Sequence, residues 1–292
     1  MIKRGVGGKE EMMAQEKERE YISVGGLSVG FSENRLLPTD RLVGKEVSLY
    51  YEHGKKASLI FTDIETLKWE TEEQGRKEKF ICGYSAIMPR EDIYFVDFIV
   101  SDGGSRSVSI VLDKQRQFAT VVTGIMPTKE EVAIPLIVRA EKAMPLTSVQ
   151  AIFEHAAVDT PFTAATPRHE KTTDLVGQRM QWVYSSKDVY EHIYLTENVY
   201  TWHCISGNEK GLADTDRCFF YKLGERFYLF VWIEKIIPTM GVVLEDLDTG
   251  RSYGKIFGHE GYAMDGRITN FAVGSYGTFL NKTDYDFSRL TR

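Results

Sequence analysis

Cysteine, long apolar runs and surplus positive charge are all scarce in this sequence. Its three cysteines, Cys82, Cys204 and Cys218, are odd in number and never spaced as Cys-x-x-Cys. That excludes a disulfide scaffold and a zinc ribbon. No stretch approaches the ~18 consecutive apolar residues of a membrane-spanning helix. Lys and Arg number 36 against 42 Asp and Glu, a net charge of −6, whereas a dedicated nucleic-acid binder carries a clustered basic excess. Met1 to Glu20 is rich in charge of both signs and lacks the apolar centre of a secretory signal, so it reads as a flexible leader. Asp214-Thr-Asp216 lacks the further ligands and glycine of a calcium loop. Gly250-Arg-Ser-Tyr-Gly-Lys255 misses the phosphate-loop spacing, with Ile256 where Ser or Thr belongs. Neither a metal nor a cofactor is expected. What the chain does have is 292 residues, 42% hydrophobic and 27% charged, enough to bury one large core or two ordinary ones. The expectation is a cytoplasmic globular protein that meets no nucleic acid and no membrane. A homodimer stays open.

The most informative feature is an internal repeat. Leu42-Val-Gly-Lys45 returns as Leu175-Val-Gly-Gln178, an offset of 133 (175 minus 42). The same offset sets Tyr51 on Tyr184, Phe61 on Tyr194 and Trp69 on Trp202. One inserted residue then pairs Tyr94 with Tyr228, Phe98 with Trp232 and Gly124 with Gly258. The chain reads as a tandem duplication.

Each copy alternates short runs of Val, Ile, Phe, Tyr and Trp with turn residues, the texture of strands at hairpin spacing. In the first copy strands are predicted at Glu46–Tyr51, Ala57–Phe61, Thr66–Glu70, Phe80–Ile87, Ile93–Val100, Ser107–Leu112 and Phe118–Thr123. Joints fall at His53-Gly-Lys55, Asp102-Gly-Gly104 and Asp113-Lys114. In the second copy they fall at Leu223-Gly-Glu225 and Asp248-Thr-Gly250. Many short strands without long helices predict an all-β fold, each sheet closed on itself. The expected domains are a leader over 1–20, a first barrel over 21–135, a linker over 136–172 and a second barrel over 173–292. Within the linker, Leu146–Ala157 reads as a helix or an extra strand.

The copies are unequal in chemistry. Between Trp182 and Trp232 lie 13 aromatics in 51 residues, and three of the four tryptophans. Interleaved with them are Glu191, His192, His203, Asp214, Asp216, Arg217, Glu225 and Glu234. Rings with a few polar groups make a pocket for an apolar or aromatic small molecule. The first copy has Leu49 where the second has Trp182, and Val100 where it has Glu234. The working site is therefore expected in the second copy.

Four blocks there, Val189–Leu195, Tyr200–Cys204, Gly211–Asp216 and Leu229–Lys235, resemble the MoaF family. Gly254-Lys-Ile-Phe-Gly258 and the Gly30-Phe31 and Leu42-Val-Gly44 segments extend the resemblance over Tyr21 to Gly274. It implies two lipocalin-like barrels of the calycin type, and it carries a label in molybdenum-cofactor biosynthesis as an accessory protein, although the family's name is also linked to bacterial monoamine regulation. A weaker similarity runs to cofactor-free phenolic acid decarboxylases, through Val176-Gly177, Trp182-Val-Tyr184 and Tyr190-Glu191. It implies catalytic roles for Tyr184, Tyr190 and for Glu225, seven residues ahead of Trp232. The chain departs from that pattern at Trp182, where the family has tyrosine, and near Leu212, where it has arginine. Arg217 could supply a cation only from another place.

By period-two alternation Tyr190, His192 and Tyr194 share one strand face, as ligand-orienting groups or as an ordinary core with a hydrogen-bonded histidine. Trp182, Trp202 and Trp232 either touch ligand or fill the barrel. His203 and Cys204 point to opposite faces and cannot share an ion. Asp214, Asp216 and Arg217 read the ligand or form a loop salt bridge. If Trp232 points inward, so does Glu234, and its buried carboxyl would have a pKa suited to proton transfer; otherwise it pairs with a base at the rim. The expected function is binding of a small aromatic molecule in the second barrel, with cofactor-free lyase or isomerase chemistry on it. A non-catalytic carrier is the alternative.

Overall fold

The computed structural model describes residues 21–100, 103 and 105–285. The expected leader and the residues Asp102 and Gly104 of one predicted joint lie outside these. A short helix α1 (Val24–Phe31) comes first, followed by β1 (Glu46–Tyr51), β2 (Lys56–Phe61), β3 (Thr66–Glu73) and β4 (Arg76–Arg90). Then come β5 (Ile93–Ile99), β6 (Arg106–Asp113), β7 (Phe118–Ile125), two helical turns α2 (Lys129–Val132) and α3 (Leu136–Glu141), and β8 (Gln150–Val158). After a two-residue β9 (Glu170–Lys171) the second series is β10 (Gln178–Val183), β11 (Val189–Thr196), β12 (Val199–Ser206) and β13 (Ala213–Gly224). It ends with β14 (Phe227–Glu234), β15 (Thr239–Asp246), β16 (Arg251–His259) and β17 (Ile268–Lys282).

Strands β1 to β8 close into one antiparallel barrel, and β10 to β17 close into another through the pairing of β12 with β13. The repeat is visible bond by bond. Gly44 and Gly177 both hold positive φ, +74° and +82°, which only glycine adopts without strain. Their amides donate to matched residues, Gly44 N to Phe61 O at 2.8 Å and Gly177 N to Tyr194 O at 2.7 Å. Likewise Tyr51 N donates to Lys55 O, and Tyr184 N to Asp188 O, both at 2.9 Å.

Two features depart from the sequence reading. Segment 136–172, expected as a linker, contains β8, which pairs with both β1 and β7 and closes the first barrel. Without it seven strands would leave two unpaired edges. Its alternation is weak in sequence because its outer face is also covered, with Phe153 4.8 Å from Phe219 of the second barrel. Second, α1, expected as the opening of the first barrel, packs instead on β16 and β17 of the second. Residues 32–41 then cross between barrels, with Ser32 Oγ donating to Ala272 O at 2.7 Å and Thr39 N to Ala86 O at 2.8 Å.

Strands β5, β6, β14, β15 and β16 are buried on both faces. One face fills a barrel, and the other forms an apolar seam between barrels that joins Ile87, Phe95 and Val122 to Leu229, Val242 and Phe257. Buried in that junction, Lys255 Nζ lies 2.9 Å from Asp97 Oδ1, which also accepts from Ser109, while Asn270 donates to Asp97 Oδ2 at 2.6 Å. Among the described residues no helix is long and apolar enough to cross a membrane.

Candidate functional site

Inside the first barrel the matched positions are plain: Leu49, Ala57, Leu59 and Leu112 belong to its apolar core. The second barrel places Trp182, Tyr190, His192 and Glu245 at the corresponding places. Two of its three tryptophans need glycines opposite. Trp182 pairs across strands with Gly277, and Trp232 with Gly241. A Cβ at either glycine would meet the indole, at 2.3 Å and 2.1 Å respectively. In β12 alternation sends Tyr200, Trp202 and Cys204 inward, and Thr201 and His203 outward.

At one end of this interior lies a cavity of about 40 Å³, walled by Tyr184, Tyr190, His192, Trp202, Trp232 and Glu234 and roofed by Val24, Leu27 and Phe31 of α1. Phe31 stacks on Tyr184 with centroids 4.2 Å apart and meets Tyr190 edge-on at 5.2 Å. Glu209 joins wall to roof: its Oε2 accepts from Tyr190 OH at 2.8 Å and its Oε1 from Ile22 N at 2.9 Å. Glu234 Oε1 accepts from Trp232 Nε1 at 2.8 Å. As a whole residue Glu234 is half-buried, yet protein surrounds its carboxyl. That burial holds the carboxyl far above the ordinary carboxylate range, and the charge of Asp216 pushes the same way. His192 sits among Tyr200, Phe230 and Trp232 with its Nδ1 unpartnered. Burial pushes its imidazole down to about 3, so it is neutral at pH 7. Burial also raises the Tyr184 and Tyr190 phenols, so both remain protonated.

Of the residues singled out from sequence, Tyr184, Tyr190, His192, Trp202, Trp232 and Glu234 converge on this cavity. Trp182 and Tyr194 lie outside its lining, in the same core, where Trp182 Nε1 donates to Tyr194 OH at 3.3 Å and Tyr194 OH to Glu245 Oε1 at 2.6 Å. Asp216 stands behind the wall, accepting from Trp202 Nε1 at 3.2 Å and lying 3.2 Å from the Lys235 ammonium. Three expectations fail. Glu225 is exposed in the β13–β14 turn, where only its carbonyl is engaged, by Arg90 Nη1 at 3.0 Å; a hairpin turn projects away from the barrel axis. His203 faces outward to Glu191 at 3.3 Å, because its neighbours Trp202 and Cys204 take the inward positions. Arg217 is exposed and lies over the Phe219 ring at 5.2 Å, one position out of step with Asp216.

Sequence reasoning missed Glu209, Tyr200, Phe31 and Glu245. Tyr200 was findable, two residues from Trp202 on the same face. Glu209 lies in a Ser-Gly-Asn-Glu-Lys-Gly loop that reads as a surface turn. Gly26-Leu-Ser-Val-Gly30 has the spacing of a hydrolase nucleophile elbow. It lies within α1, however, and Ser28 Oγ donates to Gly25 O at 2.8 Å.

Two closed eight-stranded barrels, one filled mainly by aliphatic side chains and one lined with rings and carboxyl groups, define a tandem lipocalin-like protein. The family comparisons divide the chain into the same two parts. Residues 19–128 match the family model of the MoaF N-terminal domain, and residues 169–283 that of the MoaF C-terminal domain. Protein MoaF of Klebsiella aerogenes is 38% identical over 274 residues, covering 91% of this chain and 97% of that protein. The chain belongs to the MoaF family. A crystal structure of a putative beta-lactamase from Burkholderia vietnamiensis covers 39% of this chain and 100% of its own, at 13% identity and a TM-score of 0.31. That likeness is too slight to bear on fold or function.

Proposed function

We propose that the second barrel binds a small aromatic molecule at its α1-covered end, and that a positively charged one suits it best. The observation that carries this is the lining itself: aromatic rings with Glu209 and Glu234, and no Lys or Arg. The nearby Lys235 is already held by Asp214 at 2.5 Å and Asp216 at 3.2 Å. An ammonium group against these rings gains roughly 0.5–2 kcal/mol from their π faces, in addition to its attraction to the carboxyl groups. An aromatic acid would instead meet two carboxyl groups with no cation to pair. The same argument disfavours molybdate or a phosphorylated pterin, so the family's biosynthetic label is the lesser reading. Cys204 and Cys218 are free and buried, in keeping with a reducing compartment such as the cytoplasm.

A second reading adds turnover. Glu234 holds a proton at neutral pH while His192 is a neutral imidazole with a vacant Nδ1, a weak base that can accept a hydrogen bond, so a proton donor and an acceptor face one cavity without a cofactor. A lyase or isomerase needs that pairing, with Tyr184 and Tyr190 as orienting hydroxyls. The test is a tryptophan-fluorescence titration with benzylamine and with benzoate, in EDTA. Quenching by benzylamine that survives Trp69→Phe supports the site. Quenching only by benzoate, or by neither, refutes it.

A further inference from the structure

We infer that the Phe31 side chain occupies the ring subsite of this cavity, and that the ligand binds by exchanging one six-membered aromatic ring for it. The inference rests on the binding reading above and goes on to specify how the ligand is recognised.

The first observation is volume. The cavity left beneath α1 is about 40 Å³, room for roughly two or three waters. Benzene is accommodated by engineered cavities of about 150 Å³, and ligand sites run to roughly 300–1,000 Å³. No arene enters while Phe31 is in place. The second observation is the slot itself. Phe31 lies face to face with Tyr184, at an interplanar angle of 11°, and edge-on to Tyr190, at 76°. Those two tyrosines thus offer one stacked face and one edge, an arrangement that favours an aromatic ring.

The third observation is that α1 has little to hold it as a helix. Its eight residues, Val-Gly-Gly-Leu-Ser-Val-Gly-Phe, include three glycines, and the Ser23 side chain makes no cap. Each glycine weakens a helix relative to alanine, and Val29 on its outer side is 87% exposed. What keeps the helix down is tertiary: Phe31, Val24, and a few hydrogen bonds such as Gly25 N to Glu260 O at 3.2 Å. Finally, the segment that carries Phe31 also supplies the Ile22 N–H that occupies Glu209 Oε1. When it lifts, the cavity loses a ring and an N–H donor together. A ligand with one aromatic ring and an ammonium on a short arm restores both contacts, the ring on Tyr184 and the N–H on Glu209. The slot fits a single ring, so a fused bicyclic amine is excluded.

The experiment compares wild type with Phe31→Ala and the milder Phe31→Leu by calorimetric titration with benzylamine and 1-naphthylmethylamine. Removing the internal competitor raises the fraction of open cavity. Phe31→Ala should therefore bind benzylamine roughly tenfold tighter or more, by analogy with the burial of one apolar side chain. Phe31→Leu should move the same way by less. In wild type, saturation with benzylamine should speed hydrogen exchange of the α1 amides rather than slow it. Equal or weaker binding by both variants, or α1 amides that slow on binding, overturns the exchange and leaves the binding reading standing. Naphthylmethylamine binding wild type as tightly as benzylamine overturns the one-ring limit. If benzylamine binds none of the three proteins, the binding reading falls and the exchange falls with it.

Discussion

Replacing Glu245 by glutamine should stabilise this protein, by an amount set by pH. Glu245 is fully enclosed in the second barrel, its Oε1 accepting from Tyr194 OH at 2.6 Å and its Oε2 unpartnered. Burial pushes its carboxyl from 4.5 up to about 8, with the Tyr194 hydrogen bond opposing. A folded-state pKa raised above the unfolded value means the folded chain holds a proton that the unfolded chain releases. Below about pH 4.5 both states are protonated and the group is neutral in its effect. Above it the unfolded state gains about 1.4 kcal/mol for each further pH unit, until the folded group ionises as well. At pH 7 the wild type is therefore weaker by about 3 kcal/mol than it would be without the ionisation. A glutamine here keeps the shape of the protonated acid and leaves an oxygen for Tyr194, so it removes this cost. Urea denaturation of Glu245→Gln against wild type should show a gain of about 3 kcal/mol at pH 7 that shrinks to nearly nothing at pH 4.5. A gain that does not vary with pH, or a loss at pH 7, would show that Glu245 is ionised in the fold and refute the reasoning.

Glu234→Gln should weaken benzylamine binding by about 1.5–3 kcal/mol, the range for a charge-assisted hydrogen bond. Wild type should also release close to one proton per amine bound near pH 7, because the ammonium lowers the raised Glu234 pKa, and the variant none; calorimetry in two buffers of different ionisation enthalpy reads the difference. Lys255→Met alone should cost about 3–5 kcal/mol by stranding Asp97 in the barrel junction, whereas Lys255→Met with Asp97→Leu should recover most of it. Denaturation of the two variants side by side would refute this if the double variant lost as much as the single one, or more. Glu225→Gln, in its exposed turn, should leave stability, ligand affinity and any turnover within error of wild type.

The sequence by itself determined what repeats locally. Period-two alternation and turn glycines specify strands wherever they recur, so all seven predicted strands of the first copy are present, and the matched Gly44 and Gly177 turns reproduce each other's hydrogen bonds. Alternation likewise put Tyr190, His192 and Tyr194 on one face and tied the facing of Glu234 to that of Trp232, because facing within a strand is a property of neighbours. Only the tertiary structure decided which strand closes the first barrel, since β8 carries apolar residues on both faces and shows no clean alternation. Only it showed that the Glu225 turn projects out of the barrel while the Glu209 loop folds onto its mouth. Most of all, it decided that a segment ahead of the first barrel serves the second. Asn34 reaches the Tyr184 carbonyl across 150 residues, and Phe31 stacks on the same tyrosine. The physical reason is that a ring's partner across such a separation is chosen by how two closed barrels pack, and no period or spacing in the chain encodes that packing.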